Sequence, residues 1–489
     1  MNLDRTPGLR FDIHPEPEIA ELFDLTRVPV LETVEDAGGD DPRNVLIESE
    51  NVYALTRMIA DGVRADVVYA DLPYNTGDAS GDSNAMSVLT YNDRRDDGWL
   101  SFIAPRVRLI HRLLRETGVA IFAIGRDELA SLVLLLEQEF GSHNRAAIVT
   151  WQGGVKSHAC YVSNSADYMV VMTRNIHALK RRKVRWRTTR PGAQSLIDAA
   201  AAAWREHGGD RDAAQDAYRA WLRDQDIEPA LTYYRFLDAS GRVYRASDMG
   251  ATVGRASRPR RPLVHPVTGQ ECPVPAKGWA IGDETMDALL ADDRIQFGAD
   301  HTTIPKKITY LDETEGVLGD VVTQMRGGDQ RRLNAMIGLR EDGTTRFYAP
   351  KTVSVLETWI EAVIPQFRKD ESHTDPVVVV DPFAGSASTG EAVARIVTRT
   401  GIAAESYCIT VNENNDDADP ERGIARYVAL PRLRAALTGR WADGTEHDPL
   451  RGRLIVQRLS MENGEDPGYR EVARGLIASG LVATEPQTI

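Results

Sequence analysis

Apolar and polar positions recur with two periods along this chain, and the switches between them outline its elements. "NVLIESENVYALTRMIADGVRADVVYADLPYNTG" predicts strand, helix, strand: two β-prone apolar runs flank Val52, Leu55, Met58 and Ile59, spaced about one helical turn apart. "WLSFIAPRVRLIHRLLRET" predicts a long amphipathic helix, with Val107, Ile110, Leu113 and Leu114 on one face and Gly118 as its stop. "VAIFAIG" reads as a buried strand and "DELASLVLLLEQEFG" as a helix ending at Gly141. "AAIVTWQ" and "ADYMVVMTRN" read as further strands. From about residue 350 the same alternation returns: helix "TVSVLETWIEAVIPQF", strand "PVVVVDPFAG", helix "STGEAVARIVTRTG", strand "SYCITVNEN". Strands and helices taken in turn predict an α/β fold, with a mostly parallel sheet covered by helices on both faces.

Between residues 179 and 340 the pattern breaks. An alanine-rich helical stretch, Gln194 to Asp224, precedes short β-prone pieces rich in turns, which reads as an inserted α+β module. It divides the α/β region into halves at 45–178 and 341–440. Residues 1–44 read as a peripheral leader and 441–489 as a charged, featureless tail. No basic-then-apolar start and no apolar run near the roughly 20 residues of a membrane span is visible, so a cytoplasmic protein is expected. The three cysteines, Cys160, Cys272 and Cys408, lie far apart. That spacing suits a reducing compartment and argues against a zinc ribbon or a disulfide framework, and no metal site is expected.

A net charge of −14 argues, as an average, against a polyanionic partner. Locally the balance reverses. "LKRRKVRWRTTR", Leu179 to Arg190, holds seven Lys or Arg and no acid, and "GRASRPRRP" follows at Gly254 to Pro262. A phosphate backbone responds to local charge, so Arg181, Arg182, Lys183, Arg185 and Arg187 are candidate DNA contacts; the other reading is a solvated surface loop. Trp186 among them either stacks on a base or packs a hinge.

Two strand ends carry the candidate chemistry. In "VVYADLPYNTG" an apolar run stops at Asp71, Leu72, Pro73 and Tyr74, which puts a carboxylate and an aromatic ring at the carboxyl end of a strand, where open α/β sheets bind ligands. In "VVVVDPFAGSASTGEAV" a strand ends at Asp381 and a turn of small residues (Ala384, Gly385, Ser386, Ala387) opens a helix near Ser388 or Thr389. Small residues admit close backbone approach. The loop has neither the lysine of a phosphate-binding P-loop nor a GxGxxG pattern; alone, it is either a nucleotide-type loop or a tight strand-to-helix turn. The following strand ends in "ITVNENN", placing Glu413 where an acid would meet a ribose hydroxyl.

Together "DLPY" and "DPFAGS" resemble the two motifs of the amino-methylating DNA methyltransferases, [DNS]-P-P-[YFW] for the target amine and F-x-G-x-G for S-adenosylmethionine. "LIESENVYAL", "YND", "GWLSFIAPRVRLIHRLLRETGVAIFAI", "EQEFGSHN", "ADYMVVMTRN", "FYAPK" and "ARY…PRL" follow the order of the modification subunits of type III restriction systems, the permuted β group. The resemblance implies a Rossmann-like S-adenosylmethionine-dependent methyltransferase with an inserted target-recognition domain, acting on adenine N6 in double-stranded DNA. Asp71, the Leu72 carbonyl, Pro73 and Tyr74 would hold a flipped-out base, with Asn75 to Gly77 shaping the loop over it. Asp381, Phe383, Ala384, Gly385, Ser386 and Thr389 would line the cofactor loop, with Lys351 of "FYAPK" and Asp71 beside its methionine end. It further implies a homodimer and a restriction (helicase-nuclease) subunit as partners. Two departures stand out: Leu72 where the family has proline, and Ala387 and Ser388 where glycine and threonine are usual. Two other readings stay open: a methyltransferase with the same motifs acting on cytosine N4 or on RNA, or a DNA-binding homologue whose altered motifs no longer support methyl transfer.

Overall fold

The computed structural model describes residues 26–37, 41–75, 98–153, 162, 165–190, 192–225, 227–253, 258–323, 328–364, 375–413 and 419–478. Thr76, Gly77, Cys160 and the first residues of the second basic stretch lie outside them.

The chain forms two compact units, one from residues 1–186 with 318–489, the other from 187–317. In order, the first unit opens with β1 (Arg27–Asp36), β2 (Arg43–Glu48), α1 (Asn51–Ala60), β3 (Ala65–Asp71), α2 (Trp99–Leu113), β4 (Leu114–Ile124), α3 (Leu129–Phe140), β5 (Arg145–Gln152), β6 (Ala166–Thr173) and α4 (Ile176–Arg181). The second unit holds β7 (Thr188–Thr189), α5 (Ala193–Glu206), α6 (Arg211–Arg223), β8 (Phe236–Leu237), β9 (Val243–Ser247), α7 (Asp283–Ala291), β10 (Ile295–Gln296), β11 (Lys306–Tyr310) and β12 (Glu315–Gly316). The first unit resumes with β13 (Val321–Val322), α8 (Asp329–Ile337), α9 (Val353–Val363), β14 (Val377–Asp381), α10 (Ser388–Thr400), β15 (Ala404–Thr410), α11 (Leu430–Thr438), β16 (Arg453–Asn463) and α12 (Pro467–Ala478).

Among the described residues, ten strands of the first unit form one sheet in the order β1-β16-β2-β15-β14-β3-β4-β6-β5-β13. From β16 to β4 every neighbour is parallel. The continuous apolar runs of β3 and β14 are explained by burial on both faces. Val68, Ala70, Val378 and Val380 pack with α1, α2 and α3, while Val67, Tyr69, Val377 and Val379 pack with α9 and α10. Each such valine contributes roughly 1.5–3 kcal/mol by leaving water. At the amino end of β3 the buried Asp66 carboxylate accepts the Val378 N–H at 3.0 Å, which pins β14 to β3 there.

Three expectations change. The stretch expected as a leader contains β1, which pairs antiparallel with β16, itself in the stretch expected as a featureless tail. β1 opens on the apolar run Val28 to Leu31 and carries its acids, Glu32, Glu35 and Asp36, in its second half, so the edge strand shows no period of two. The helix expected to run to Gly118 stops at Leu113. Leu114 to Thr117 are captured by β4, where Leu114 sits opposite Ala65, and sheet pairing overrides helix preference. The inserted unit begins near Arg187 and ends near Val317, inside the expected 179–340; by itself it is an α5/α6 helix pair over one apolar cluster beside a four-stranded antiparallel sheet ordered β10-β11-β9-β8.

Candidate active site

The two motif-bearing strands are neighbours: Val67 pairs with Val379 and Val68 with Val380. From β3 the chain continues to β4 on one side; from β14 it continues to β15 on the other. The order therefore reverses between β3 and β14, and that reversal leaves a crevice at the carboxyl ends of the two strands. Asp71 and Asp381 close those strands and both face this rim.

Asp381 is buried. Its carboxylate accepts the Phe383 N–H at 3.0 Å and the Thr389 hydroxyl at 2.5 Å, so it ties the start of α10 back to the strand end. Burial, the largest influence, and the charge of Asp71 push it up to about 7, against those two hydrogen bonds. Lys351 sets a cation against the other strand-end carboxylate: its Nζ lies 2.9 Å from Asp71 Oδ1 and 3.8 Å from Asp167 Oδ2. It also donates to the Tyr74 hydroxyl, which donates to Asp167 Oδ2 at 3.0 Å. Tyr74 is thereby fixed at its tip, and Gly125 makes room for its ring, since a Cβ there would stand 3.0 Å from Tyr74 Cδ2. Trp99 Nε1 donates to the Pro73 carbonyl at 2.7 Å, and Asn75, at φ 56°, donates to Glu128 at 2.7 Å. Leu72 is buried, and its N–H reaches the Ala123 carbonyl at 3.2 Å, a bond no proline makes. The departure at position 72 exchanges a fixed φ for an extra rung on β4.

The turn after β14 is braced from below. Ala384 N–H donates to the Ile409 carbonyl at 3.0 Å, and Gly385 and Ala387 both take left-handed backbone, φ 47° and 58°. Arg432 of α11, fully buried, donates to Ser386 Oγ at 2.9 Å and Ser388 Oγ at 2.7 Å, and pairs with the buried Glu391 at 2.9 Å. Glu391 also meets Arg332 and Arg395, and these guanidiniums outweigh its burial and hold it at about 2. Asn51 Nδ2 donates to the Pro382 carbonyl at 3.0 Å and is itself held by Arg106 at 2.6 Å. Glu413 lies three residues past β15, beside this loop's own strand; on the next strand over, Glu48 is committed to Arg426 and Arg458. A loop of small residues between two carboxylate-ended strands, with Glu413 at the next strand end, fits a cationic adenosyl group.

The rim thus brings together Asp71, Leu72, Pro73, Tyr74, Asn75, Lys351, Asp381, Phe383, Ala384, Gly385, Ser386, Thr389 and Glu413. It does not bring in the basic run. Arg181, Arg182, Lys183 and Arg185 are exposed, but Arg181 reaches Glu116 at 3.2 Å, near the start of β4, on the opposite rim. Trp186 packs against the apolar cluster under α9 and α10. In the inserted unit Arg187 lies 3.8 Å from Glu315. Asn51, Arg106, Gly125, Asp167, Glu391 and Arg432 were not expected. Only Gly125, a glycine closing an apolar strand run, left a signal in the sequence.

A family profile described as DNA methylase, for N6 and N4 methyltransferases, matches residues 65–409. The type III restriction-modification enzyme EcoP15I Mod subunit of Escherichia coli is 23% identical over 401 residues, 77% of this chain and 59% of that protein. The StyLTI Mod subunit of Salmonella typhimurium is 24% identical, covering 80% of this chain and 57% of its own length. The type II methyltransferase M.EcaI of Enterobacter cloacae is 32% identical over 71% of this chain and 63% of its own. The chain spans about three fifths of the length of these relatives. Among solved structures, the PvuII DNA methyltransferase (cytosine-N4-specific) aligns with 81% of this chain and 95% of its own at 9% identity and a TM-score of 0.33, too loose a likeness to superpose sites.

Proposed function

The chain belongs to the DNA methylase family of N6 and N4 amino methyltransferases, and from that premise we propose that it methylates the N6 amino group of adenine in DNA. The observation that carries this reading is the pairing of β3 with β14, which brings the strand ends that carry Asp71 and Asp381 to one rim at the switch point. Asp381, Phe383, Ala384, Gly385, Ser386, Thr389 and Glu413 would hold S-adenosylmethionine, which when bound would supply an electrophilic methyl group. Asp71 and the Leu72 carbonyl supply what the target lacks. An exocyclic adenine amine is a poor nucleophile because its lone pair is delocalised into the ring. Two acceptors on its N–H groups favour a pyramidal, electron-rich nitrogen, and holding it in place removes much of the remaining barrier. The Asp71 oxygen that now meets Lys351 is the acceptor the amine would take over, so Lys351 holds the carboxylate in place until the base arrives. Tyr74, anchored at its hydroxyl, presents its ring to a base that has left the duplex.

Aspartate rather than serine before the turn supports adenine over cytosine. The inserted unit is read as the target-recognition domain. The names of the Mod relatives support a place in a restriction or phage-defence system, with a helicase-nuclease restriction subunit as partner and a homodimer as the working form. Incubation of duplex DNA with the protein and S-adenosylmethionine, digestion to nucleosides and mass analysis test the chemistry. N6-methyladenine is the expected product; N4-methylcytosine, or no product with cofactor bound, overturns the assignment. Co-purification from the native cell and sedimentation test the partners.

A further inference from the structure

The rim opposite the methyl-transfer residues holds a cleft of about 530 Å³ lined by Arg64, Arg112 and Arg174, with Glu116 and Asn175 at its edge. The arginines come from three elements. Arg64 precedes β3, Arg112 is in the last turn of α2, and Arg174 follows β6, whose end lies at the start of β4 because the two run antiparallel. Strand β3 separates this cleft from Asp71 by roughly 20 Å, at about 3.3 Å per residue.

Guanidiniums on a protein surface are commonly balanced by carboxylates, and around this cleft the carboxylates are spent elsewhere. Glu116 is taken by Arg181 at 3.2 Å and Asn175 at 3.1 Å, and Glu139 by Arg108 at 2.8 Å and His111 at 3.3 Å. Among the described residues, Arg64, Arg112 and Arg174 make hydrogen bonds to backbone carbonyls only, of Ile59 and Val63, Val472, and His111. Each keeps further N–H donors turned to the cleft or to solvent. Arg174 feels the cost: burial lowers its proton affinity and the charges of Arg112 and Arg64 lower it further, against the pull of Glu139. The same rim receives the start of the basic run, since Arg181 ends α4 beside Glu116.

We propose that this cleft is a second binding site, for phosphate groups, separate from the methyl-transfer rim. Three forked cations from different elements outnumber the one lining carboxylate, Glu116, which is paired to Arg181, and match the tetrahedral oxygens of a phosphate. The phosphate belongs either to a nucleic-acid backbone or to a small free phosphate compound. The proposal stands whether or not the chain is a methyltransferase.

The test uses the full chain and the Arg64→Ala/Arg112→Ala double variant, which spares the Arg174 contact to His111. Calorimetry with sodium pyrophosphate is one arm; anisotropy of a labelled 30-base-pair duplex across a salt series is the other. If the source is a small phosphate compound, pyrophosphate binds the wild type saturably and the variant at least tenfold more weakly, with duplex affinity unchanged. If it is a nucleic-acid backbone, duplex affinity falls about tenfold and the salt slope drops by about two. Both probes bound equally by wild type and variant overturn the proposal, as does a variant that loses only a poly-glutamate peptide, which would mark a docking face for an acidic protein. Should the alanine pair fail to fold, Arg64→Lys/Arg112→Lys decides: it keeps the charge and loses the fork, and should weaken the responsive probe about threefold.

Discussion

The two ends of the central strands carry opposite chemistry. At their carboxyl ends Asp71 and Asp167 flank one ammonium, Lys351, with Asp381 buried at the end of β14; at the opposite rim Arg64, Arg112 and Arg174 outnumber one carboxylate, Glu116, which is paired to Arg181. The buried middle of β3 and β14 is the same for both, a run of valine, alanine and tyrosine that sets only the separation. What differs is the short polar sequence at each end. A parallel sheet therefore works as a spacer between two independently written turn clusters, and each cluster can be altered without moving the other.

The largest expected effect lies at the carboxylate rim. Asp71→Asn should lower kcat for methyl transfer by about a thousandfold, on the order of 4 kcal/mol, with DNA affinity nearly unchanged, as measured by radiolabelled methyl incorporation beside anisotropy. The side chain keeps its size, so the loss isolates the carboxylate. Transfer at near wild-type rate would move the chemistry away from this rim and break the comparison at its root.

Next comes the brace beneath the same rim. Arg432→Met leaves Ser386 and Ser388 without their buried donor and removes one of the three cations around Glu391. Because Arg332 and Arg395 remain, the cost should sit at the low end for a broken buried pair, about 3 kcal/mol. Urea denaturation measures it. A change below 1 kcal/mol would mean that the loop stands without the brace, and that the rim is shaped by its backbone alone.

These two residues differ in how readable they were. Asp71 sits in a tetrapeptide whose order along the chain, with "DPFAGS" far downstream, pointed to adjacent turns before any coordinates. Arg432 lies in "PRLRAAL", where an arginine on a short helix ordinarily faces solvent; its burial depends on Glu391, 41 residues away, and no local pattern encodes that. Lys351 was legible as a site residue but not as the partner of Asp71, since its distance to a carboxylate 280 residues earlier is a property of the folded sheet. The basic run was legible as cationic, but not which rim it would join, because charge shows in composition and direction does not. Strands β1 and β16 went unseen for a related reason: an antiparallel edge pair with charged outer faces carries little periodicity until the partner is known.

A third test turns on protonation. Asp381, ordinarily near 3.8, is held at about 7 in the folded protein. Between those values the native carboxyl keeps a proton that the unfolded chain has released, so this group lowers stability as pH rises from about 4 to about 7; above that the penalty is full and constant. Asp381→Asn removes the ionisation. The stability of the variant relative to wild type should therefore climb across that window, by on the order of 1–3 kcal/mol, read from denaturation midpoints at pH 5 and pH 8. Because the charge of Asp71 contributes to the shift, Asp71→Asn should narrow the window. An equal difference at both pH values would mean that Asp381 titrates in its ordinary range, raised neither by burial nor by Asp71.

The smallest effect is expected at Ala387, and its smallness is the point. At φ 58° an alanine pays about 1–2 kcal/mol for left-handed backbone, so a glycine here would at first sight stabilise the loop. Two opposing contributions act on the same substitution. The Ala387 methyl is fully buried beside Leu46, Cys408 and Leu433, and losing it costs about 0.8 kcal/mol. Glycine also gives the unfolded chain more freedom, worth about 0.5–1 kcal/mol. The sum is near zero, so Ala387→Gly should shift stability by less than about 1 kcal/mol and leave cofactor affinity within a few-fold. On this accounting the departure from the family's glycine is a neutral exchange of strain for packing, and the carboxylate rim keeps its function. A gain above 2 kcal/mol, or a large rise in S-adenosylmethionine affinity by calorimetry, would show strain to dominate and the loop to be held short of its binding geometry.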